Sequence, residues 1–278
     1  MRPCMKRPYN SGLVAVHFPK RARKVSLFVL LIVVSIAAVS CRKAAPVNDV
    51  RGPSRPVAEA IAEAEQAYAG REDLVKVRQG LVALRQAGAE EQANYDLSWR
   101  VAKFNYYLGA HSPDSSEQDK AFHEGIEAGR LAVRLQDGKP EGHFWLGANY
   151  GGRARISVLA GLSDFEDIKR EMETVIRLDE GHQTGSAYLG LGQLYLQAPG
   201  LLGGDTQKAI QYLEKGLRWG PDNALLRAEL VAAYLEAHRN EDARKQIDAL
   251  LAMKPATGYE PEYKEAVAKV RKLQEKIK

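Results

Sequence analysis

Cysteine is almost missing from this sequence: Cys4 and Cys41 are the only two in 278 residues. With one of them lost or committed elsewhere, the chain can form no disulfide, no dithiol and no cysteine-based metal site. Beyond His17, histidine is scattered over His111, His123, His143, His182 and His238, with no second histidine to complete a zinc motif around His123-Glu124. No serine sits in a GxSxG elbow. Neither hydrolytic nor redox chemistry has a constellation to work with, so no enzyme activity, cofactor or metal is expected. Acidic residues are absent from positions 1 to 40, which hold seven of the forty Lys and Arg. Without that segment the formal charge falls from +5 to −2, and nucleic-acid binding, which needs a basic footprint on the folded part, loses its support.

What the first forty residues do contain is ordered like a secretion signal. KRARK at 20 to 24 precedes the fifteen uncharged residues VSLFVLLIVVSIAAV at 25 to 39, then Ser40 and Cys41. The apolar run is shorter than the about 20 residues of a spanning helix and fits a signal h-region; an uncleaved signal anchor is the alternative. The stretch before it is long for an n-region, which points to a start downstream of Met1. Ala38-Val39-Ser40-Cys41 resembles the cleavage site of bacterial lipoproteins, with Ala38 where Leu is more usual. That resemblance implies cleavage before Cys41, diacylation of Cys41 and a lipid-anchored protein on the periplasmic side of the cell envelope, and Arg42 in place of Asp favours the outer membrane. Residues 41–56, rich in Pro and small or polar residues, read as a tether.

From residue 57 onward the apolar period is helical and strand alternation is lacking. The expected fold is all-α. Pro221 and Pro255 stand 34 residues apart, as do Ala209 and Ala243, Leu213 and Ile247, and Gly216 and Leu250. A 34-residue period is that of helix-turn-helix repeats. Tyr188, Leu191, Gly192 and Tyr195, then Ala209, Leu213, Gly216 and Pro221, resemble helices A and B of the tetratricopeptide repeat (TPR) family; Arg227, Leu230, Val231 and Tyr234, then Ala243, Ile247, Leu250 and Pro255, repeat the register. Leu146, Gly147 and Tyr150 with residues 168–182 form a looser unit, residues 99–109 with 125–138 another, and residues 57–88 one further helix pair. The resemblance implies an α-solenoid over 57–278 with a capping helix in 258–278, whose stripe is Tyr263, Val267, Val270 and Ile277.

LGLGQLYLQAPGLLGGD at 189 to 205 holds five glycines. A dinucleotide loop needs a preceding strand and a third glycine where Tyr195 stands, and a P-loop needs Gly-Lys-Ser/Thr. The stretch reads instead as a helix followed by a turn lengthened by five residues, with Asp205 as N-cap. The alternative is an anion or ligand cradle at Gly203, Gly204 and Asp205. The pairs Asp164/Asp167 and Glu171/Glu173 are expected on a solvated helix face.

Transferred from the TPR pattern, the concave groove carries Trp99, Lys103, Tyr106, Phe144, Leu189, Gln193 and Leu196, with Ala148, Ala228, Ala232 and Leu235. It should be aromatic at one end, aliphatic elsewhere and poor in charge. The aromatic residues can equally serve as packing between helices. The order SWRVAKFNYYLG, GIEAGRLAVRL, EGHFWLGANYG, MET-x-x-IRLD, YLGLGQLY and APG...GGD is similar to TPR lipoproteins grouped with the T component of TRAP transporters and, more distantly, to the regulator of microtubule dynamics proteins. The first resemblance implies a periplasmic adaptor that binds a protein partner such as a solute-binding protein, takes a small hydrophobic ligand and can form a homo-oligomer. An envelope assembly scaffold without a ligand is the alternative.

Overall fold

The computed structural model describes residues 56–89 and 93–275. The signal segment, Cys41, the tether up to residue 55 and Ile277 lie outside them. Among the described residues there are eleven α-helices and no strand, in the order α1 (Val57–Ala69), α2 (Leu74–Gly88), α3 (Tyr95–His111), α4 (Ser115–Leu135), α5 (Pro140–Ile156), α6 (Val158–Leu178), α7 (Ser186–Gln197), α8 (Thr206–Trp219), α9 (Ala224–Glu236), α10 (Asn240–Ala252) and α11 (Glu260–Gln274). They pair as five antiparallel hairpins, α1–α2 to α9–α10, with α11 at the end.

Local chemistry sets where the helices begin. Asp73, Asn94, Asp114, Ser157, Asp205 and Asn223 each accept a backbone N–H from the first turn of the helix they precede, satisfying donors that a helix N-terminus leaves open. Pro140 opens α5, where a missing N–H loses nothing. The caps also explain two extensions beyond the sequence expectation. α4 starts at Ser115 because Asp114 caps it, and α6 starts at Val158 because Ser157 caps it, so α6 covers the stretch before residue 168 and stops at Leu178 rather than 182.

Each helix packs on its hairpin partner and on the next hairpin. The apolar stripes meet in three clusters that follow one another along the chain: α1–α4 around Phe104, α3–α8 around Trp145 and Leu191, and α7–α11 around Leu213 and Leu230. Small residues let the helices approach. A Cβ on Gly192 would lie 2.4 Å from Leu213 Cγ, so this glycine serves helix packing. The Phe122 ring of α4 is fully buried against α3 and α5, where a Cβ on Gly109 or Gly152 would come 2.8 Å or 2.0 Å from it. On α11 the buried residues are Ala266 and Val270, with Tyr263, Val267 and Leu273 partly covered.

The carboxylates expected in solvent require a correction. Asp164 is 2% exposed and Glu171 5% exposed, because each is turned from α6 onto α5. Asp164 takes a two-pronged bond from Arg153, at 2.8 Å and 2.9 Å. Glu171 meets His143 Nδ1 at 2.6 Å, while His143 Nε2 lies 2.9 Å from the Asp137 carbonyl. Burial opposes charging of His143, but these hydrogen bonds outweigh it and raise its pKa above the ordinary histidine value.

Two adjacent glycines of α5 should respond oppositely to alanine. Gly152→Ala drives a methyl into the Phe122 ring and should lower stability by about 1–3 kcal/mol. Gly151, with nothing within 4 Å of its would-be Cβ, should gain about 0.5–1 kcal/mol on Gly151→Ala; urea melts of the two variants check both signs. The raised pKa of His143 makes its contribution complete below about pH 6.5 and lost as pH rises through the folded-state value. The stability gap between wild type and His143→Gln should therefore narrow with rising pH, and a flat gap between about pH 5.5 and pH 8.5 would contradict the ion pair.

Candidate binding chamber

The A helices of the five hairpins, α1, α3, α5, α7 and α9, face one cavity of ≈ 1570 Å³, joined by the N-terminal half of α6 and by α11. This is larger than the ~300–1,000 Å³ of a typical small-molecule pocket. B helices mostly stay outside because their apolar stripes are spent between hairpins. The curvature of stacked pairs leaves the inner face to the A helices.

Of the expected groove residues, Trp99, Lys103, Tyr106, Phe144, Leu189 and Gln193 line this cavity, as do Ala148 and Ala228. Leu196, Ala232 and Leu235 do not. Leu196 is packed between the second and third clusters, and Leu235 against the third. At one end Tyr106, Phe144 and Trp145 form an aromatic wall, with ring centroids 5.7 Å apart for Tyr106–Trp145 and 4.9 Å for Phe144–Trp145. The Arg100 guanidinium lies 4.0 Å above the Trp99 ring. All three tryptophans of the chain, Trp99, Trp145 and Trp219, line the cavity.

The expectation of few charges also needs correction. Lys103 projects into the chamber from α3, its Nζ 3.1 Å from Glu65 and 3.8 Å above the Tyr68 ring. Burial lowers its pKa, against the pull of Glu65. Glu229 of α9 is 6% exposed and is held by Gln193 at 2.8 Å and by Lys269 of α11 at 2.5 Å. Arg71 binds Glu262 at 2.6 Å. These chamber ions come as pairs between different helices, which is why a pattern read along any one helix misses them. Burial pushes the nearby Tyr107 phenol up to about 12, so it is neutral at physiological pH.

The glycine turn differs from an open anion cradle. Gly203 N–H donates to the Gly200 carbonyl and Gly204 N–H to the Pro199 carbonyl, at 3.2 Å and 3.1 Å, while Asp205 N–H donates to Tyr195 O at 2.8 Å. The Asp205 carboxylate accepts the amides of Gln207 and Lys208, both at 3.0 Å, and thus fills the α8 N-terminus with its own negative charge. Gly203 holds φ +96° with Phe165 beneath it, where only glycine is relaxed. The lengthened turn is a structural plug beside the chamber, which Pro199 and Leu202 help to line.

Trp145, Tyr68, Arg71, Tyr107, Glu229 and the α11 residues are the chamber features that sequence reading missed. Trp145 had a signal, being the neighbour of Phe144 on an A helix. The α11 residues had none, because α11 reaches the chamber only by turning across it.

Removing the Lys103 charge leaves Glu65 half-exposed and still bound to Arg100 at 3.0 Å. Lys103→Met should therefore change stability by no more than about 1 kcal/mol, as read by thermal or urea unfolding.

Residues 201–270 match the tetratricopeptide repeat family model, a range that runs from the glycine turn through α8, α9 and α10 into α11. No curated protein matches the chain. Among solved structures it is similar to a thermophilic TPR protein from Thermus thermophilus, with 19% sequence identity, a TM-score of 0.57, and coverage of 77% of this chain and 100% of that one. The chain folds as a tetratricopeptide-repeat solenoid and carries tetratricopeptide repeat sequence in its C-terminal hairpins.

Proposed function

We propose that this chain is a non-enzymatic adaptor, anchored in the cell envelope through lipid on Cys41, that engages a protein partner and holds a small apolar ligand in its concave chamber. The observation that carries the ligand half is the convergence of Trp99, Tyr106, Phe144, Trp145 and Leu189, from three different A helices, on one cavity. These side chains pack on one another and border the cavity with their remaining edges, which an apolar occupant would cover. The pairing of Lys103, Arg71 and Lys269 with Glu65, Glu262 and Glu229 takes those three cations away from an anionic ligand and favours a neutral one, although Arg155 also lines the cavity.

The partner half rests on the TPR fold, whose stacked hairpins present extended surface. The similarity to TRAP transporter T components suggests a solute-binding protein as that partner. A scaffold that organises an envelope complex is the second reading, supported by the exposed leucines Leu159 and Leu201, 78% and 100% accessible, which suit a protein contact.

The test is to extract the full chain from membranes and identify the small molecules that stay with it by mass spectrometry. Replacing Trp99 and Tyr106 by Ala together should lower retention of an apolar molecule about 10-fold or more, for roughly 1.5 kcal/mol or more of lost apolar contact, with helical content unchanged. Retention equal to wild type would sink the chamber as the ligand site. Crosslinking in intact cells tests the partner: recovery of envelope-assembly proteins in place of transport components would favour the scaffold.

A further inference from the structure

A TPR solenoid contacts itself only between neighbouring hairpins, yet here its two ends touch. Arg71, in the turn between α1 and α2, is 4% exposed. Its Nε donates to Glu262 Oε1 at 3.2 Å, and its Nη2 donates to Glu262 Oε2 and to the Gly258 carbonyl, both at 2.6 Å. Its Nη1 donates to the Tyr68 carbonyl at 3.3 Å, and the guanidinium lies 4.9 Å from the Tyr68 ring and 6.0 Å from that of Tyr107. Lys264 and Glu72 add an exposed pair at 2.8 Å beside it. The other anchor of α11 is mainly apolar: Ala266 and Val270 sit in the cluster shared with α9 and α10, with Lys269 paired to Glu229 of α9 beside them.

α11 is therefore held in two unlike ways. Its attachment to α9 is a packed core face, continuous with the last hairpin. Its attachment to the first hairpin is a set of polar bonds centred on one arginine. Tyr259, Glu262, Tyr263 and Glu265 of the same segment line the cavity, so the segment forms the side of the chamber facing the gap between the two ends of the solenoid.

We propose that Arg71 is a clasp, and that its release from Glu262 and Gly258 lets the N-terminal part of α11 swing away on the α9 contact, opening the chamber sideways to admit its occupant. The nature of that occupant rests on the reading above; the opening itself does not. Arg71 suits the role because a planar guanidinium can hold a carboxylate and a carbonyl at once. A buried ion pair also raises the opening barrier without making the closed state much more stable than a hydrated one.

The experiment compares wild type with Glu262→Ala and with Arg71→Ala, as full chains, by hydrogen exchange and by acrylamide quenching of tryptophan fluorescence. Glu262→Ala is the sharper test, because it leaves Arg71 a buried cation without its carboxylate, a cost that opening would relieve by hydration. In both variants, amides of residues 259–265 should exchange about 10-fold faster, while residues 266–274, held on α9, and α3 to α8 keep their wild-type protection. Quenching should rise, because the tryptophans face the chamber. Retention of any co-purifying apolar molecule should fall in the same variants. Exchange of α11 and quenching equal to wild type in a folded Glu262→Ala chain would overturn the clasp. If the segment opens in the variants but wild type retains no apolar molecule, the clasp stands and the ligand reading falls.

Discussion

The whole molecule follows from a single constraint: a two-helix hairpin of this length has more apolar surface than it can cover by folding on itself. α3 covers part of the stripe of α4, and α5 must cover the rest; Phe122 of α4 is enclosed only because Gly109 of α3 and Gly152 of α5 both make room for it. The same need passes from hairpin to hairpin, so each core cluster shares helices with the next. Order along the chain becomes order in space. The constraint also orients the helices, because B-helix stripes are consumed between hairpins and the inner surface is left to the A helices.

A stack of this kind has two ends with unmet apolar surface. At the C-terminal end α11 covers it with Ala266 and Val270, while Glu262 and Lys269 pair inward with Arg71 and Glu229. The helix is also long enough to cross the concave side and reach the α1–α2 turn. Capping and closure are thus done by one element with two chemistries, apolar packing at one anchor and an arginine-centred polar contact at the other. Because core packing is tight and cooperative while a polar contact can exchange its partners for water, the two anchors need not open together. That asymmetry distinguishes a chamber with a moving side from a rigid one.

The chamber itself combines two requirements that usually conflict. Aromatic and aliphatic side chains face an open volume, which is favourable only if something apolar covers them. Charged side chains share that volume, which is tolerable only if each is paired. Lys103 with Glu65, Glu229 with Lys269 and Arg71 with Glu262 meet the second requirement across the stack, and the proposed neutral occupant would meet the first.

The 34-residue spacing and the small residues at Gly192, Ala209, Gly216 and Ala243 were legible in the sequence, since helix pairing depends on side chains a few positions apart. Of the helix starts, the one at Asp205 was read from its cap in the sequence; those at Asp114 and Ser157 were missed, and α4 and α6 begin well before the expected residues. Most of the groove residues were legible too, because a repeat transfers its inner-face positions from unit to unit. Leu196 failed because it lies on the part of α7 packed against both neighbouring clusters, and Asp164 and Glu171 failed because one carboxylate looks like another until its partner on α5 is known. By itself the sequence determined the all-α class and the repeat, both set by contacts short in chain distance. Only the tertiary structure decided which charges are buried and paired, and that Arg71 meets Glu262 across 191 residues. Such a contact depends on the summed curvature of five hairpins, and no local pattern of residues records that sum.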